Sequence, residues 1–297
     1  MIDRRTFVVA ASSAFALGCS RPSPEGAVGE RARALNDRFG AIRATLGPGG
    51  RLGVAAIDTG SEKELRFDAD SRYAMASTFK LPLAAAVLAL ADRGELSLSE
   101  ELRFGPGDPL PNSPVVEANL KAGRLSIVRL CSAIVERSDN SAANLLLRRI
   151  GGPAALTRFF RAWGDPVTRL DRYEMELNSN LPGDPRDTTS PAAMARLTGR
   201  LVLGDVLARQ SRNHLSTWLR KAVPGPDRLP AGLPEGWMAG HKTGTGANGA
   251  LNDVAIAWHS IRAPIVIASY QSGGNASAQA RAAAHASVAG LVMEAFA

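Results

Sequence analysis

Cysteine is almost absent: the 297 residues hold two, Cys19 and Cys131. Cys19 falls in an N-terminal segment expected to be lost or lipidated. That leaves Cys131 alone on the helical stripe Ile127, Leu130, Cys131, Ile134, Val135, where a buried inert thiol and no disulfide are expected. The four histidines, His214, His241, His259 and His285, share no H-E-x-x-H or Cys/His spacing, so neither a zinc site nor any other cofactor is expected. Aromatic residues make up 5% of the chain and are not interleaved with a dense basic run, which argues against a nucleic-acid partner. The longest apolar run near the start is too short to span a bilayer comfortably. The net charge of +7, or +6 without Asp3, Arg4 and Arg5, therefore reads as solubility with some pull on anionic ligands. At 45% hydrophobic residues, the chain can bury one large core or two smaller ones.

The N-terminus reads as a targeting segment. Arg4-Arg5-Thr6-Phe7 is followed by the apolar stretch Val8 to Leu17 and by small residues up to Gly18-Cys19, the layout of a secretory signal. The adjacent arginines resemble a twin-arginine export signal. Ala16-Leu17-Gly18-Cys19 loosely follows a lipoprotein cleavage box, with Ala16 where leucine is usual, so a lipid anchor at Cys19 stands as the alternative to plain cleavage. Residues 1–25 are expected to be export signal and tether, and the protein periplasmic or otherwise exported.

Beyond the Pro/Gly-rich stretch Pro22 to Gly29, Arg31 to Ala44 reads as a helix. Leu52 to Ile57, the turn Asp58-Thr59-Gly60-Ser61, and Leu65 with Phe67 read as a β-hairpin. Two strands do not make a stable sheet. Partners are expected at the far end, in Trp237 to Thr245, Asn252 to Trp258 and Ile265 to Tyr270, with a last helix over Ala276 to Phe296 covering one face. The middle is helical: Leu125 to Arg137, Ser141 to Ile150, Ala154 to Trp163 and Pro191 to Leu203 have helical spacing, with Gly151-Gly152 and Gly164 as stops. Leu170 to Ser190 shows no period and is long for a plain connector. An α/β domain over residues 30–76 plus 222–297 is thus expected around an inserted all-α domain over 77–221, with the site at their seam.

At that seam stands Ala76-Ser77-Thr78-Phe79-Lys80, followed by the apolar Leu81 to Asp92. If this stretch is helical, the three-residue spacing sets the Ser77 hydroxyl beside the Lys80 amine. A lysine partly stripped of water can help deprotonate a serine, and the positive end of a helix suits a developing oxyanion. Ser-x-x-Lys also arises by chance, as an N-cap serine and a solvated lysine. Four further segments bear on the choice: Ser138-Asp139-Asn140, Arg172 to Asn178 with Glu174 inside it, Arg228, and Lys242-Thr243-Gly244-Thr245-Gly246 on an expected strand.

Taken in order, these segments resemble the motif set of class A serine β-lactamases. The resemblance covers nearly all of the chain after the leader, including Leu130-Cys131-Ser132-Ala133, Asn144 to Leu147, Gly151-Gly152-Pro153 and Arg186-Asp187-Thr188-Thr189. It implies an α+β two-domain fold of the serine β-lactamase and penicillin-binding-protein type, with a five-stranded antiparallel sheet flanked by helices and an inserted all-α domain. It also implies a monomeric hydrolase that opens the ring of small-molecule β-lactams, penicillins and cephalosporins, through a serine acyl-enzyme, and so confers resistance. By the same resemblance Ser77 is the nucleophile, and the backbone N–H groups of Ser77 and Thr245 form the oxyanion hole. Lys80, Glu174, or Glu174 through a water deprotonates Ser77; Ser138, held near Lys242, protonates the departing nitrogen. Asn140 positions the substrate amide, Lys242, Thr243 and Arg228 receive its carboxylate, and Glu174 with Asn178 holds the hydrolytic water. Arg172 and Asp187 either clamp the loop neck or are two surface charges worth under ~1 kcal/mol.

Several positions depart from the family pattern. Met175 follows Glu174 where proline is frequent, Asn112 stands where an aromatic borders the pocket, and His241 replaces a common aspartate before Lys242. Pro82 falls inside the helix after Ser77 and should cost a backbone hydrogen bond. Ala76 and Gly246 exclude the disulfide found beside the serine in some carbapenem-hydrolysing relatives. The alternatives are a penicillin-binding DD-peptidase, which lacks the glutamate loop, and a β-lactam sensor domain, which stays acylated.

Overall fold

The computed structural model describes residues 24–297. It separates into two units, Met1–Asp37 and Arg38–Ala297. Described residues of the first belong to α1 (Pro24–Ala44), which starts on a proline suited to a first helical turn and so takes in residues read as tether. The export signal and Cys19 lie outside the described residues.

In the second unit, a hairpin of β1 (Arg51–Asp58) and β2 (Glu64–Phe67) leads through β3 (Tyr73–Ala74) and the 3-10 turn Ala76–Phe79 into α2 (Lys80–Asp92). The next segments are β4 (Glu101–Arg103), α3 (Pro114–Ala118), β5 (Arg124–Ser126), α4 (Ile127–Ser132), α5 (Asn140–Ile150) and α6 (Pro153–Ala162). After the long loop come β6 (Thr188–Thr189), α7 (Pro191–Val202) and α8 (Arg209–Arg220). The chain closes with β7 (Trp237–Thr245), β8 (Leu251–His259), β9 (Ile265–Ser272) and α9 (Ala278–Ala295). The five long strands form one antiparallel sheet in the order β2-β1-β9-β8-β7, so the two ends of the unit meet where Val54 pairs with Ser269. The inner strands are apolar on both sides because helices cover both faces, α7 packing on β1 and β9 and α9 on β8 and β9.

Helix α2 is the axis of the helical half. Its residues from Lys80 to Ala89 are all buried, which is why it carries no polar stripe. Pro82 stands in its first turn, where proline is tolerated. The single helix expected over Leu125 to Arg137 is instead three pieces. Leu125 belongs to β5, which pairs with β4; α4 follows; and Ala133–Arg137 widens to a π-turn before Ser138, at φ 58°, reverses the chain. A π-turn spends an extra residue per turn, and functional sites are where such insertions collect. Helix α8 and the β3–β6 and β4–β5 ladders were not foreseen. Cys131 is free and fully buried, and burial pushes its thiol well above the ordinary range.

The sheet and α9 are joined by a buried histidine. His285 Nε2 lies 2.9 Å from the Leu251 carbonyl, which can only accept, so Nδ1 takes the Ser269 hydroxyl at 2.8 Å and the ring is neutral. Burial pushes its pKa down to about 4. Between about pH 6.5, where an unfolded histidine titrates, and about 4 the unfolded chain binds the extra proton, so folding stability falls with pH across that window. The loss attributable to this group is about 3 kcal/mol. Urea unfolding at pH 7 and pH 4 should show a smaller acid penalty for His285→Gln than for the parent; equal penalties would mean that His285 is not the source.

Candidate active site

The turn that carries Ser77 is 3-10 rather than α-helical, and in that geometry side chains three apart eclipse. Lys80 Nζ accordingly lies 3.0 Å from Ser77 Oγ. Lys80 is wholly buried and also donates to the Ser138 carbonyl at 2.8 Å and to Asn140 Oδ1, while Glu174 Oε1 stands 2.9 Å away. Burial pushes the ammonium downward and the Glu174 carboxylate opposes it; the net direction is down.

Ser138 and Asn140 reach this point because Asp139 caps α5. The buried Asp139 carboxylate accepts the Ala142 N–H at 2.8 Å and those of Val115 and Val116 at 2.8 and 3.1 Å, tying α5 to α3. Ser138, left-handed beside that cap, presents Oγ to Lys242 Nζ at 3.1 Å. Asp139 thus caps α5 while its neighbours Ser138 and Asn140 meet Lys242 and Lys80.

Lys242 comes from the edge strand β7. Gly244, two residues on, is a glycine by necessity: a Cβ there would stand 2.6 Å from the Met75 carbonyl oxygen and 3.2 Å from Ser77 N. Its absence brings β7 against the Ser77 turn. Asn252 of β8 fastens the same turn by donating to the Ala74 and Met75 carbonyls at 2.9 and 3.2 Å. Burial, with Lys80 and Arg228 nearby, pushes Lys242 well below its usual range.

Glu174 lies on the long loop, whose neck is closed by a buried clamp. Arg172 Nε meets Asp187 Oδ2 at 2.6 Å, and Asp187 Oδ1 accepts the N–H groups of Asp171 and Arg172, so this pair is structural rather than a surface contact. Asn144 of α5 brackets the Glu174 backbone, accepting its N–H at 3.0 Å and donating to its carbonyl at 2.9 Å. The Glu174–Met175 peptide is cis. Asn178 Nδ2 donates to Glu174 Oε2 at 2.6 Å. Asn178 Oδ1, buried, has no partner among the described residues.

A cavity of about 660 Å³ opens above these groups, lined by Ser77, Asn140, Asn178, Arg228, Thr243 and Thr245 among others. Arg228 is held along the cavity rim by the carbonyls of Gly244 and Asn252 at 3.2 and 2.8 Å and by Thr245 Oγ1 at 3.0 Å. Asn112 borders the cavity too, donating to the Ser138 carbonyl at 3.1 Å, and Met175 Sδ lies 3.0 Å from Asn140 Nδ2. Ser77, Ser138, Asn140, Asn178, Arg228, Thr243 and Thr245, each given a role from the sequence, line this cavity, and the buried Lys80, Glu174 and Lys242 are bonded to them. Asn144, Asn252 and Asp139 were given no role from the sequence. Asn144 and Asn252 act on distant backbone, and no local pattern marks them.

Residues 32–296 match the family model described as the Beta-lactamase enzyme family. The chain is 43% identical over 247 residues to the carbapenem-hydrolyzing β-lactamase KPC of Klebsiella oxytoca, covering 83% of this chain and 84% of that protein. It is 46% identical over 227 residues to a β-lactamase of Streptomyces albus G, covering 74% and 71%. The solved structure of an ancestral (GNCA) class A β-lactamase superposes with a TM-score of 0.85 at 48% identity, over 88% of this chain and all of that one (100%). A family match over nearly the whole described chain, with likeness at these levels in both sequence and fold, means that this chain belongs to the class A serine β-lactamase family.

Proposed function

We infer that the chain is a β-lactamase, a hydrolase that opens the β-lactam ring of penicillins and cephalosporins through an acyl-enzyme on Ser77 and thereby confers β-lactam resistance. The observation that carries this reading is the Glu174–Asn178 pair set beside Lys80 and Ser77, a place to hold water next to an acyl-serine. Acylation begins with attack of Ser77 Oγ on the lactam carbonyl, its proton passing to Lys80 Nζ in the neutral form toward which burial pushes that lysine. The N–H groups of Ser77 and Thr245 receive the oxyanion. The ring C–N bond breaks as Ser138 Oγ gives its proton to the nitrogen, and Ser138 is reprotonated from the lysines that flank it, Lys242 at 3.1 Å and Lys80 at 3.5 Å. Water held between Glu174 and the unpartnered Oδ1 of Asn178 then loses a proton to Glu174 and adds to the ester carbonyl; the ester C–O bond breaks as Ser77 Oγ takes that proton back from Glu174 through Lys80, which frees the serine. Asn140 orients the substrate amide. Lys242, Thr243 and Arg228 take the substrate carboxylate, the arginine in bidentate fashion.

This reading also divides the chain into an α/β domain over residues 30–76 plus 222–297 and a helical domain over 77–221, and takes the monomer as the acting unit. We place the protein outside the cytoplasm, exported by its first ~19 to 25 residues; among the described residues no helix is long and apolar enough to cross a membrane. Incubation with nitrocefin or benzylpenicillin tests the activity. Ring opening should continue through many turnovers. A single stoichiometric burst would instead point to a penicillin-binding peptidase or a sensor, and no opening at all would reject the reading.

A further inference from the structure

Behind the cationic side of the cavity lies a buried pair that the mechanism leaves unused, His241 and Asp253. Asp253 is fully buried and pairs across the sheet with Thr243, on the face that His241 shares by strand alternation. Its oxygens stand 2.9 and 3.0 Å from His241 Nδ1, and Oδ2 also accepts the Leu229 N–H at 3.1 Å. A carboxylate only accepts, so the imidazole carries its proton on Nδ1. Each bond holds a chain neighbour of the carboxylate-receiving group: Leu229 follows Arg228, and His241 precedes Lys242. The carbonyl of Asn252, the residue before Asp253, is itself an acceptor for Arg228.

The charges point the same way. Burial pushes both Arg228 and Lys242 downward, and the nearby carboxylate that most opposes this in each is Asp253. Burial also pushes Asp253 toward its neutral form, but its bond to His241 and the nearby Arg228 help to outweigh that and hold the carboxyl below its usual range. An ionised group kept under two desolvated cations is placed to keep them charged and aimed.

We propose that Asp253, bonded to His241 and to the Leu229 N–H, is a positioning residue for recognition of the substrate carboxylate, fixing Arg228 and Lys242 on either side of the place where that carboxylate binds. The proposal rests on the β-lactamase reading above, and a substrate pair separates the two. The methyl ester of benzylpenicillin keeps the β-lactam ring but lacks the charge that the cradle receives. In the full-length protein, Asp253→Asn keeps a side-chain oxygen for Leu229 but removes the charge. It should lower kcat/KM for benzylpenicillin about tenfold or more beyond any loss on the ester, which still needs Lys242 to reprotonate Ser138. Arg228→Ala, which removes the cation itself, should give the same selective loss. Should Asp253→Asn fail to fold, His241→Ala decides, since it strips the carboxylate of its side-chain donor and should show the same acid-selective loss. Equal losses on acid and ester, or no loss on either, would overturn the proposal and leave Asp253 a packing group. Failure of the parent to open either compound would overturn the β-lactamase reading instead.

Discussion

Glu174→Ala should open a β-lactam ring once and then stall. Glu174 faces the reacting serine only through Lys80, at 2.9 Å, and through Asn178, at 2.6 Å, so its loss leaves Ser77, Ser138 and Lys242 in place. The Asn144 bracket engages Glu174 by its backbone alone, so alanine keeps the loop where it is. What disappears is the group that takes the proton of the hydrolytic water. A positioned general base contributes about 10²- to 10⁴-fold, and turnover should fall by at least that factor. Intact mass after mixing with benzylpenicillin should show one added penicillin per chain, persisting long after the parent has returned to its native mass. A variant that turned over like the parent would mean that deacylation uses another base, and the hydrolytic route through Glu174 would have to be given up.

Ser77→Ala should be more severe. It removes the only atom proposed to bond to substrate, and it leaves Lys80 with its carbonyl, amide and carboxylate partners, so the buried lysine stays satisfied and the fold should survive. Steady-state turnover should drop by about 10⁴-fold or more, with residual rate arising from binding and the oxyanion donors alone. No adduct should form at any time. An unchanged melting temperature beside that loss would show that the hydroxyl serves chemistry; an adduct of normal size would place the nucleophile elsewhere.

What could be read in the sequence followed the range of each interaction. Ser77 and Lys80 meet because they are three apart on one turn, and Gly244 follows Lys242 because β7 must press on Met75, so the two short motifs carry their geometry with them. The inner strands of the sheet were legible because they are largely apolar on both faces. Glu174 has no such local signature. It sits in an aperiodic loop held by a buried Arg172–Asp187 clamp and by Asn144 from another helix, and it was reached through the family resemblance. Helix α8 was passed over because its surface is strongly polar, although Ser211, Leu215, Trp218 and Leu219 mark its buried stripe. The break of the helix expected over Leu125 to Arg137 was not legible, since its apolar spacing continues straight through the π-turn that delivers Ser138. The His241–Asp253 pair was half visible. His241 stood out as a departure before Lys242, but its partner lies across the β7–β8 ladder and acquires meaning only from that register.

The most direct measurement catches the covalent intermediate in the unaltered protein. Acid quenching during steady turnover of benzylpenicillin, followed by proteolysis and mass mapping, should find the opened penicillin on the peptide that contains Ser77 and on no other. Its occupancy should fall to zero as substrate is exhausted. Sustained ring opening with Ser77 unmodified at every quench time, or with the adduct on a different residue, would contradict an acyl-enzyme at Ser77.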